Sequence, residues 1–268
     1  MLDASTPLQQ RSKGAARVAL GGDGSVRDLF QQGSAKAIMP RVHSEVTEVV
    51  FLNTSGGLTG GDRLSYGLEV ASGTTVMAAT QTAERAYASS GGIAEVEVKI
   101  RVGDGGFCLW MPQETILFER SSLRRILQVS MQEDARFLGV ETLVLGRAAM
   151  GETPQHLSIE DIRQVWGDDG QPLHAEHLRI TGDTLSRRSN GAGLADKTVF
   201  ASLVYIATDA EDRLAEVRKL VMGPAQVTAF GQRLILRAEA NDSWDIRRIF
   251  IPIIKALGVN DVPRVWQT

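Results

Sequence analysis

Alternation between apolar and polar residues dominates the chain from about residue 45 to residue 180. In the segment AEVEVKIRV, the apolar residues Val98, Ile100 and Val102 alternate with charged residues. A period of two places successive side chains on opposite faces of a strand. The segment is therefore predicted to be a half-buried β-strand, and this pattern limits the chain to folds built mainly from sheets.

Further segments of similar length show the same alternation: RLSYGLEV, TTVMAAT, GFCLWM, ETILFE, RRILQVSMQ, LSIEDIRQVW and PLHAEHLRI. Glycine or Asp-Gly separates several of them, as in VGDGGF and WGDDGQP. The stretch from Phe137 to Leu145 is apolar on both faces, which predicts a central strand covered on both sides. Many short strands at even spacing predict a mainly β fold, with a many-stranded superhelical or sandwich-like body.

Two helices are predicted, both in the carboxy-terminal half. The segment DAEDRLAEVRKLVMGP places Leu214 and Val217 on one stripe, which predicts a helix over about 209–222. Asp209 is the candidate N-cap of this helix, and Gly223 begins its stop signal.

The second helix is predicted over about 243–257, where six apolar residues follow a period of 3.6. Pro252 lies inside this pattern, and its ring should crowd the carbonyl of Arg248 and kink the helix. We expect the stripe to pack on the β body, and a docking surface for another protein is the alternative. The stripe consists of Ile246, Ile249, Phe250, Ile253, Ile254 and Leu257.

No linker divides the chain, so residues 1–268 are predicted to form one β-rich domain.

Composition disfavours several functional classes. Lys and Arg (29) nearly balance Asp and Glu (32), and no basic block occurs, so nucleic-acid binding is not expected. Cys108 is the only cysteine, which rules out an intrachain disulfide or a multi-cysteine metal site. The longest apolar run, VFASLVYIA, is far shorter than the roughly 20 residues that span a bilayer. We therefore expect a cytoplasmic protein without a membrane partner.

Three carboxylates occupy positions where their charge needs a partner. Glu141 shares an otherwise apolar strand face, and an ion pair with Arg147 is the simplest structural explanation. Glu176 alternates with His174 and apolar residues, and a hydrogen-bonded structural acid is again the simpler interpretation. Asp62 follows a glycine-rich segment, where an Asp side chain often caps a turn.

The histidines give little indication of a metal site. His174 and His177 are three residues apart on a predicted strand, so they should point to opposite faces and share no metal. His43 and His156 have no obvious partner in the sequence.

The glycine-rich segment is NTSGGLTGGDRL. It has no Lys-Ser or Lys-Thr after the glycines, and a strand rather than a helix follows, so it is not a phosphate-binding loop. Closely spaced glycines instead let two backbone segments approach each other and turn sharply.

The residues alone indicate a β-rich protein with buried acids and no recognisable catalytic constellation. A carbohydrate- or protein-binding β module remains one alternative. A β-fold glycoside hydrolase is another, and it would need two of the acids within about 5–10 Å of each other, one of them with a raised pKa. Aromatic residues make up only 6% of the chain, which disfavours sugar binding.

Four segments, taken in order, resemble the urease accessory protein D family, which is called H in some bacteria: GGLTGGDRL, WMPQETILF, DARFLGVETLVLGRAAMGE and PRVWQT. The resemblance is strong from about residue 40 to 180 and weaker beyond. The chain departs from the family at residues 53–55, where it has Asn-Thr-Ser and the family often has His-Pro-Pro. The motif residues are Gly56, Gly57, Gly60, Gly61, Arg63, Trp110, Pro112, Gln113, Glu114, Gly146, Arg147, Gly151 and Glu152.

The resemblance implies a non-enzymatic maturation factor of urease with a β-rich superhelical body and a couple of helices. Members of that family form complexes with a helical accessory protein called F and a GTPase called G. The assembly docks on the apo-urease subunits and delivers nickel through an internal passage. No permanently bound cofactor is implied, only transient Ni²⁺.

The family resemblance also suggests site residues. Asp62, Glu141 and Glu176 each match a family acid position, and we hypothesise that they line the nickel passage. Carboxylates suit transit, because clusters of His and Cys would trap Ni²⁺ and a relay must release it. The carboxy-terminal region contributes to F binding in the family, so Trp266 is predicted to belong to the partner-binding surface.

Overall fold

The computed structural model describes residues 11–40, 46–147, 150–191 and 194–267. Strands account for 50% of the structure and helices for 12%, which confirms the predicted mainly β class. Most strands belong to one of two sheets.

The first sheet has seven strands in the spatial order β14-β13-β11-β8-β5-β1-β2. The segments 63–70 and 158–166 of this sheet alternate between buried and more exposed residues, as the period-two pattern predicts, whereas 26–33 is exposed throughout. In chain order they are β1 (Lys13–Leu20), β2 (Val26–Gly33), β5 (Arg63–Val70), β8 (Ala94–Val102), β11 (Ser122–Met131), β13 (Ser158–Trp166) and β14 (Pro172–Thr181).

The second sheet follows the spatial order β16-β17-β15-β12-β9-β6-β4-β3. Two further short strands, β7 (Glu84–Ala86) and β10 (Thr115–Leu117), pair with each other, and β10 also pairs with β12. The other strands are β3 (Ala35–Ile38), β4 (Thr47–Asn53), β6 (Thr75–Thr80), β9 (Phe107–Trp110), β12 (Arg136–Leu145), β15 (Val199–Ile206), β16 (Ala225–Phe230) and β17 (Arg233–Ala240).

Parallel pairing makes the centre of the molecule a stack of coils. Strands β5, β8, β11 and β13 are parallel neighbours in the first sheet, and β4, β6, β9 and β12 are parallel neighbours in the second. The chain crosses from the second sheet to the first four times, advancing one strand at each crossing. The result is a β-solenoid-like arrangement in which the glycine-rich segment, β7 and β10 lie in successive crossings.

Strand β12 lies between two cores, which confirms the prediction of a strand covered on both sides. Phe137 and Leu143 pack into the core between the sheets. Leu138 and Val140 point the other way, into a core that also contains the helix α3 (Ser243–Ala256).

Helix α3 matches the predicted span and contains Pro252. Its six apolar stripe residues are all buried against the outer side of the second sheet, so core packing is confirmed for this stripe. Asp242 caps the helix by accepting a hydrogen bond from the Trp244 N–H at 2.8 Å.

The predicted helix over 209–222 is shorter in the structure, where α2 runs from Leu214 to Leu220. The prediction that Asp209 is the N-cap of this helix was wrong. Its carboxylate instead accepts hydrogen bonds from the Tyr205 hydroxyl at 2.9 Å and from Arg213 Nε at 2.7 Å, so the first residues form turns. A five-residue helix that the sequence pattern did not predict, α1 (Gly182–Ser186), follows β14. No helix in the described ranges is both long and apolar enough to cross a membrane.

Candidate functional site

Charged side chains form a continuous network in the space between the two sheets. We call this network the polar interior. Its members lie at inward-facing positions of four strands whose neighbouring inward residues are mostly apolar. It consists of Arg125 on β11, Glu141 on β12, Asp161 and Arg163 on β13, and Glu176 on β14.

Arg125 holds two carboxylates of the polar interior at once. Its Nη2 donates to Glu141 Oε2 at 2.7 Å and also to Asp161 Oδ2. Its Nη1 donates to the Thr115 hydroxyl at 2.6 Å. The other oxygen of Glu141 accepts the indole N–H of Trp110 at 3.1 Å. Every carboxylate oxygen of Glu141 is therefore occupied in a site of low exposure.

The predicted ion pair between Glu141 and Arg147 was wrong. Strand β12 ends at Leu145, and Gly146 adopts a positive φ of 83° that turns the chain away. Arg147 then pairs with Glu152, with Nε 2.8 Å from Oε2. A Cβ at Gly146 would lie 2.4 Å from the Glu152 carbonyl oxygen, so this part of the motif forms a tight structural turn.

Arg163 continues the network toward the edge of the first sheet. It donates to Asp161 at 3.1 and 3.2 Å, to Glu176 Oε2 at 3.3 Å and to the Ser202 hydroxyl. Burial opposes ionisation of Asp161, but the guanidinium groups of Arg125 and Arg163 outweigh this cost and lower its pKa.

Glu176 lies where the network meets solvent. Its Oε1 accepts from Nη2 of Arg237, an exposed side chain, at 2.8 Å. His174 is buried next to it, with Nε2 3.9 Å from Glu176 Oε2, and neither ring nitrogen has a hydrogen-bond partner among the described residues. Burial lowers the pKa of His174 and favours its neutral form.

The remaining histidines lie apart from this network. His177 is on the opposite face of β14 from His174, as predicted, and contacts Glu160 at 3.1 Å. His156 contacts Glu119 at 3.0 Å on the surface. His43 lies outside the described residues.

Asp62 occupies a different environment from Glu141 and Glu176. Its carboxylate accepts the backbone N–H of Ser12 at 2.7 Å and that of Thr59 at 2.8 Å, and the residue is only 4% exposed. The turn-capping interpretation is therefore confirmed. Glu141 and Glu176 are linked through Arg125, Asp161 and Arg163, whereas hydrogen bonds between described residues do not connect Asp62 to them.

The glycine-rich segment packs tightly against the next crossing. The N–H of Leu58 donates to the Arg85 carbonyl and the N–H of Tyr87 donates to the Leu58 carbonyl, both at 2.7 Å. A Cβ at Gly57 would lie 2.3 Å from the Tyr87 ring and 2.8 Å from the Arg85 carbonyl oxygen. At Gly60 it would lie 2.4 Å from the carbonyl oxygen of Gly91. The close backbone approach expected from the sequence is present at these two glycines.

Two small cavities adjoin the crossing that contains β7, and both are lined by Tyr66, Thr80 and Glu84. The inner cavity, of about 50 Å³, also touches Arg125 and Glu141 of the polar interior. The outer cavity, of about 30 Å³, extends to the glycine-rich segment, where Asn53, Gly56 and Gly57 form part of its wall.

Glu84 was missed by the sequence analysis. It is half-buried on β7, and burial raises its pKa to about 7. Its carboxylate accepts hydrogen bonds from Asn53 Nδ2 and from the Arg85 N–H, each at 3.3 Å, and makes no ion pair within the described part of the chain. The three-residue strand β7 is too short to show alternation, so no periodic signal indicates that Glu84 points inward.

The residues that follow Trp110 in the segment WMPQE form the corner between β9 and β10. Gln113 Nε2 donates to the Val265 carbonyl at 2.6 Å, and Arg247 contacts Glu114 at 3.3 Å. The Trp266 indole N–H donates to the Met111 carbonyl at 2.9 Å. Trp266 is 4% exposed, so its ring lies against the corner rather than on the surface.

Donor chemistry bears on what the polar interior can hold. Among the described residues, no group of three or more His, Cys, Asp or Glu side chains is arranged to hold a metal ion. The polar interior therefore offers carboxylates bound to arginines rather than a cluster of metal ligands.

Comparison with known proteins gives a consistent result. Residues 12–267 match a family described as UreD urease accessory protein. A protein of Cereibacter sphaeroides named urease accessory protein UreD is 45% identical, covering 99% of this chain and 100% of that protein. Proteins with the same name from Paracoccus denitrificans and a Jannaschia species are 43% and 44% identical, each covering 100% of this chain and 96% and 100% of their own lengths.

Proposed function

Because the chain belongs to the UreD family of urease accessory proteins, we propose that it matures urease by passing Ni²⁺ to the apo-enzyme through its polar interior. The observation that carries this proposal is the row of charged groups between the sheets. It begins at the inner cavity beside Arg125 and ends at Glu176, on the edge strand of the first sheet. A buried row of this kind is costly to maintain, so a role in conducting an ion accounts for its presence better than stability does.

The relay is assigned to Glu141 and Glu176 in the polar interior and to Asp62, which lies outside that network. Each acid is held by existing partners: Asp62 by two backbone N–H groups, and Glu141 and Glu176 by guanidinium groups. An incoming cation must displace or share these partners, which keeps its affinity low. Weak sites in series admit an ion and release it again, as conduction through a pore requires.

The chain acts in this proposal as a non-catalytic scaffold in the cytoplasm. It forms complexes with accessory protein F, the GTPase accessory protein G and the apo-urease subunits, with transient Ni²⁺ as cargo and no permanent cofactor. The names of its relatives support an accessory role. The net charge of −3 agrees with the absence of nucleic acid from the proposed partners.

Glycoside hydrolysis and sugar binding fit the geometry less well. Sites for small organic ligands usually measure about 300–1,000 Å³, whereas the cavity that touches Glu141 measures about 50 Å³. Glu84 has a raised pKa and lines the same cavity as Glu141, but that cavity is too small for a sugar ring, and Asp161 is held by Arg125 with a lowered pKa.

The surface for protein F is placed on the carboxy-terminal segment. Since Trp266 is buried, its contribution is to position that segment against the corner. The exposed side chains of Arg264 and Gln267 are then available to contact protein F directly.

Omission of this chain from cells that express urease and its other accessory proteins tests the proposed function. We expect urease to assemble without nickel and without activity when the chain is absent. Glu176→Gln should lower the nickel content of urease while F and G are still recovered in the complex. Full nickel loading in cells without the chain would contradict the proposal.

A further inference from the structure

We propose that Glu84 is the carboxylate at which a divalent cation enters the polar interior, in a site completed by oxygen atoms of Thr80 and Tyr66. This inference rests on the proposed function, because it names where the cation binds on the same passage. It adds a residue that neither the motif resemblance nor the hydrogen-bond network of the polar interior contains.

The first argument is charge. Glu141, Asp161 and Glu176 each have at least one arginine partner, whereas Glu84 makes no ion pair among the described residues. Within the described part of the chain, its hydrogen-bond donors are the Asn53 amide and the backbone N–H of Arg85, each at 3.3 Å. Arg85 and Arg125 attract its charge without contacting it, yet burial still raises its pKa, so a bound cation would supply a closer counter-charge.

The second argument is space. Glu84, Thr80 and Tyr66 line both cavities, so they stand at the junction of the outer cavity and the inner cavity. A water molecule needs about 10–15 Å³ of such volume, so the inner cavity can hold a cation with a few of its waters. Carboxylate and hydroxyl oxygens are hard ligands, which bind first-row divalent cations reversibly rather than trapping them.

The third argument is access. Glu84 is half-buried, whereas Asp161 is nearly inaccessible to solvent, so Glu84 is nearer to the outside. The glycine-rich segment forms part of the wall of the outer cavity beside Glu84. The Tyr87 hydroxyl donates a hydrogen bond to the Gly56 carbonyl of this segment at 3.3 Å. Beyond Glu84, the inner cavity reaches Arg125, which covers Glu141 and Asp161. We place a cation at Glu84 at one end of the row, with the arginine-paired acids beyond Arg125 and Glu176 at the other end.

Titration of the full-length chain with Ni²⁺, followed by calorimetry, tests this assignment. Glu84→Gln keeps the shape of the side chain and removes its charge, and we expect at least a tenfold weaker affinity or the loss of one binding equivalent. Glu84→Asp retains the charge and should show an intermediate loss. The matched control is Glu97→Gln, which alters an exposed glutamate of the first sheet that contacts Lys99.

Far-ultraviolet circular dichroism and thermal unfolding establish whether each variant is folded. If Glu84→Gln is not folded, the Ni²⁺ titration of Glu84→Asp decides whether Glu84 binds the cation. Unchanged Ni²⁺ affinity and stoichiometry in a folded Glu84→Gln or Glu84→Asp chain would overturn the inference. It would also be overturned if Glu84→Gln lost Ni²⁺ binding while urease received its full nickel in cells. In both cases the proposed function stands, because it is tested separately, by the loading of urease in cells without the chain and with Glu176→Gln.

Discussion

At the scale of single residues, a few charged side chains lie between the sheets, where burial of charge is costly. The polar interior neutralises three carboxylates with arginines, while Glu84 is left with neutral donors. These two arrangements have different consequences for stability. Loss of an arginine leaves buried negative charge without a partner. Loss of the Glu84 charge removes the free-energy cost of burying that charge.

Arg125→Met should destabilise the fold by about 3–5 kcal/mol, because Glu141 and Asp161 would lose a buried counter-charge. Chemical denaturation measures this cost as a lower midpoint. Arg101→Met is the control, since Arg101 pairs with Glu69 on the exposed face and should cost less than about 1 kcal/mol. Equal midpoints for the two variants would contradict the account.

Glu84→Gln should stabilise the chain in a pH-dependent manner. The pKa of Glu84 is about 7 in the folded state, above its ordinary value of 4.5, so the folded state binds more protons between these two values. The wild type therefore loses stability as pH rises through that window, by an amount on the order of 1–3 kcal/mol. Unfolding at pH 5 and pH 8 should show the advantage of the variant only at pH 8. A pH-independent difference would contradict the raised pKa.

At the scale of elements, the crossings between the sheets carry the specific features of the fold. The glycine-rich segment, β7 and β10 lie in successive crossings, and the glycines permit contact between the first two. The carboxy-terminal segment then fixes the corner that follows β9.

Gly57→Ala should destabilise the chain by roughly 2–4 kcal/mol, because a Cβ there meets both the Tyr87 ring and the Arg85 carbonyl. Gly56→Ala provides the control. Gly56 also has a positive φ but no atom within 4 Å of the added Cβ, so only the backbone cost of about 1–2 kcal/mol is expected. If thermal unfolding gave the two variants the same stability, the close approach would not matter.

The carboxy-terminal segment should separate into a structural and a binding part. Trp266→Ala should cost about 3–5 kcal/mol by removing a buried ring. Arg264→Glu alters an exposed side chain and should lower the unfolding midpoint only slightly, through repulsion of the Glu48 carboxylate, yet weaken co-purification with protein F. Undiminished recovery of protein F with Arg264→Glu would show that the contact lies elsewhere.

The elements that could be predicted from the sequence are those whose pattern is local. The alternation in AEVEVKIRV, the doubly apolar β12 and the stripe of α3 each record burial along a single segment. The start of α2 was wrong because Tyr205, on the preceding strand, takes the Asp209 carboxylate. The Arg125 contacts and the position of Glu84 depend on which strands become neighbours, and that information is non-local.

At the scale of the whole molecule, stacked crossings and two sheets enclose a row of charges that would be difficult to build in a smaller body. The inner cavity connects Glu84 at the crossings with Arg125 and Glu141 between the sheets. Arg163 extends the row to Glu176 at an edge strand. We propose that nickel moves along this row on its way to urease.

A plug in the inner cavity tests that claim most directly. Val98 lines this cavity, and Val98→Phe should fill it, at a cost of about 1–3 kcal/mol in stability. The measurement is the nickel content of urease purified from cells in which the variant still co-purifies with its partners. We predict a marked fall in nickel per urease relative to wild type. Full nickel loading in the presence of an intact, plugged complex would contradict the account.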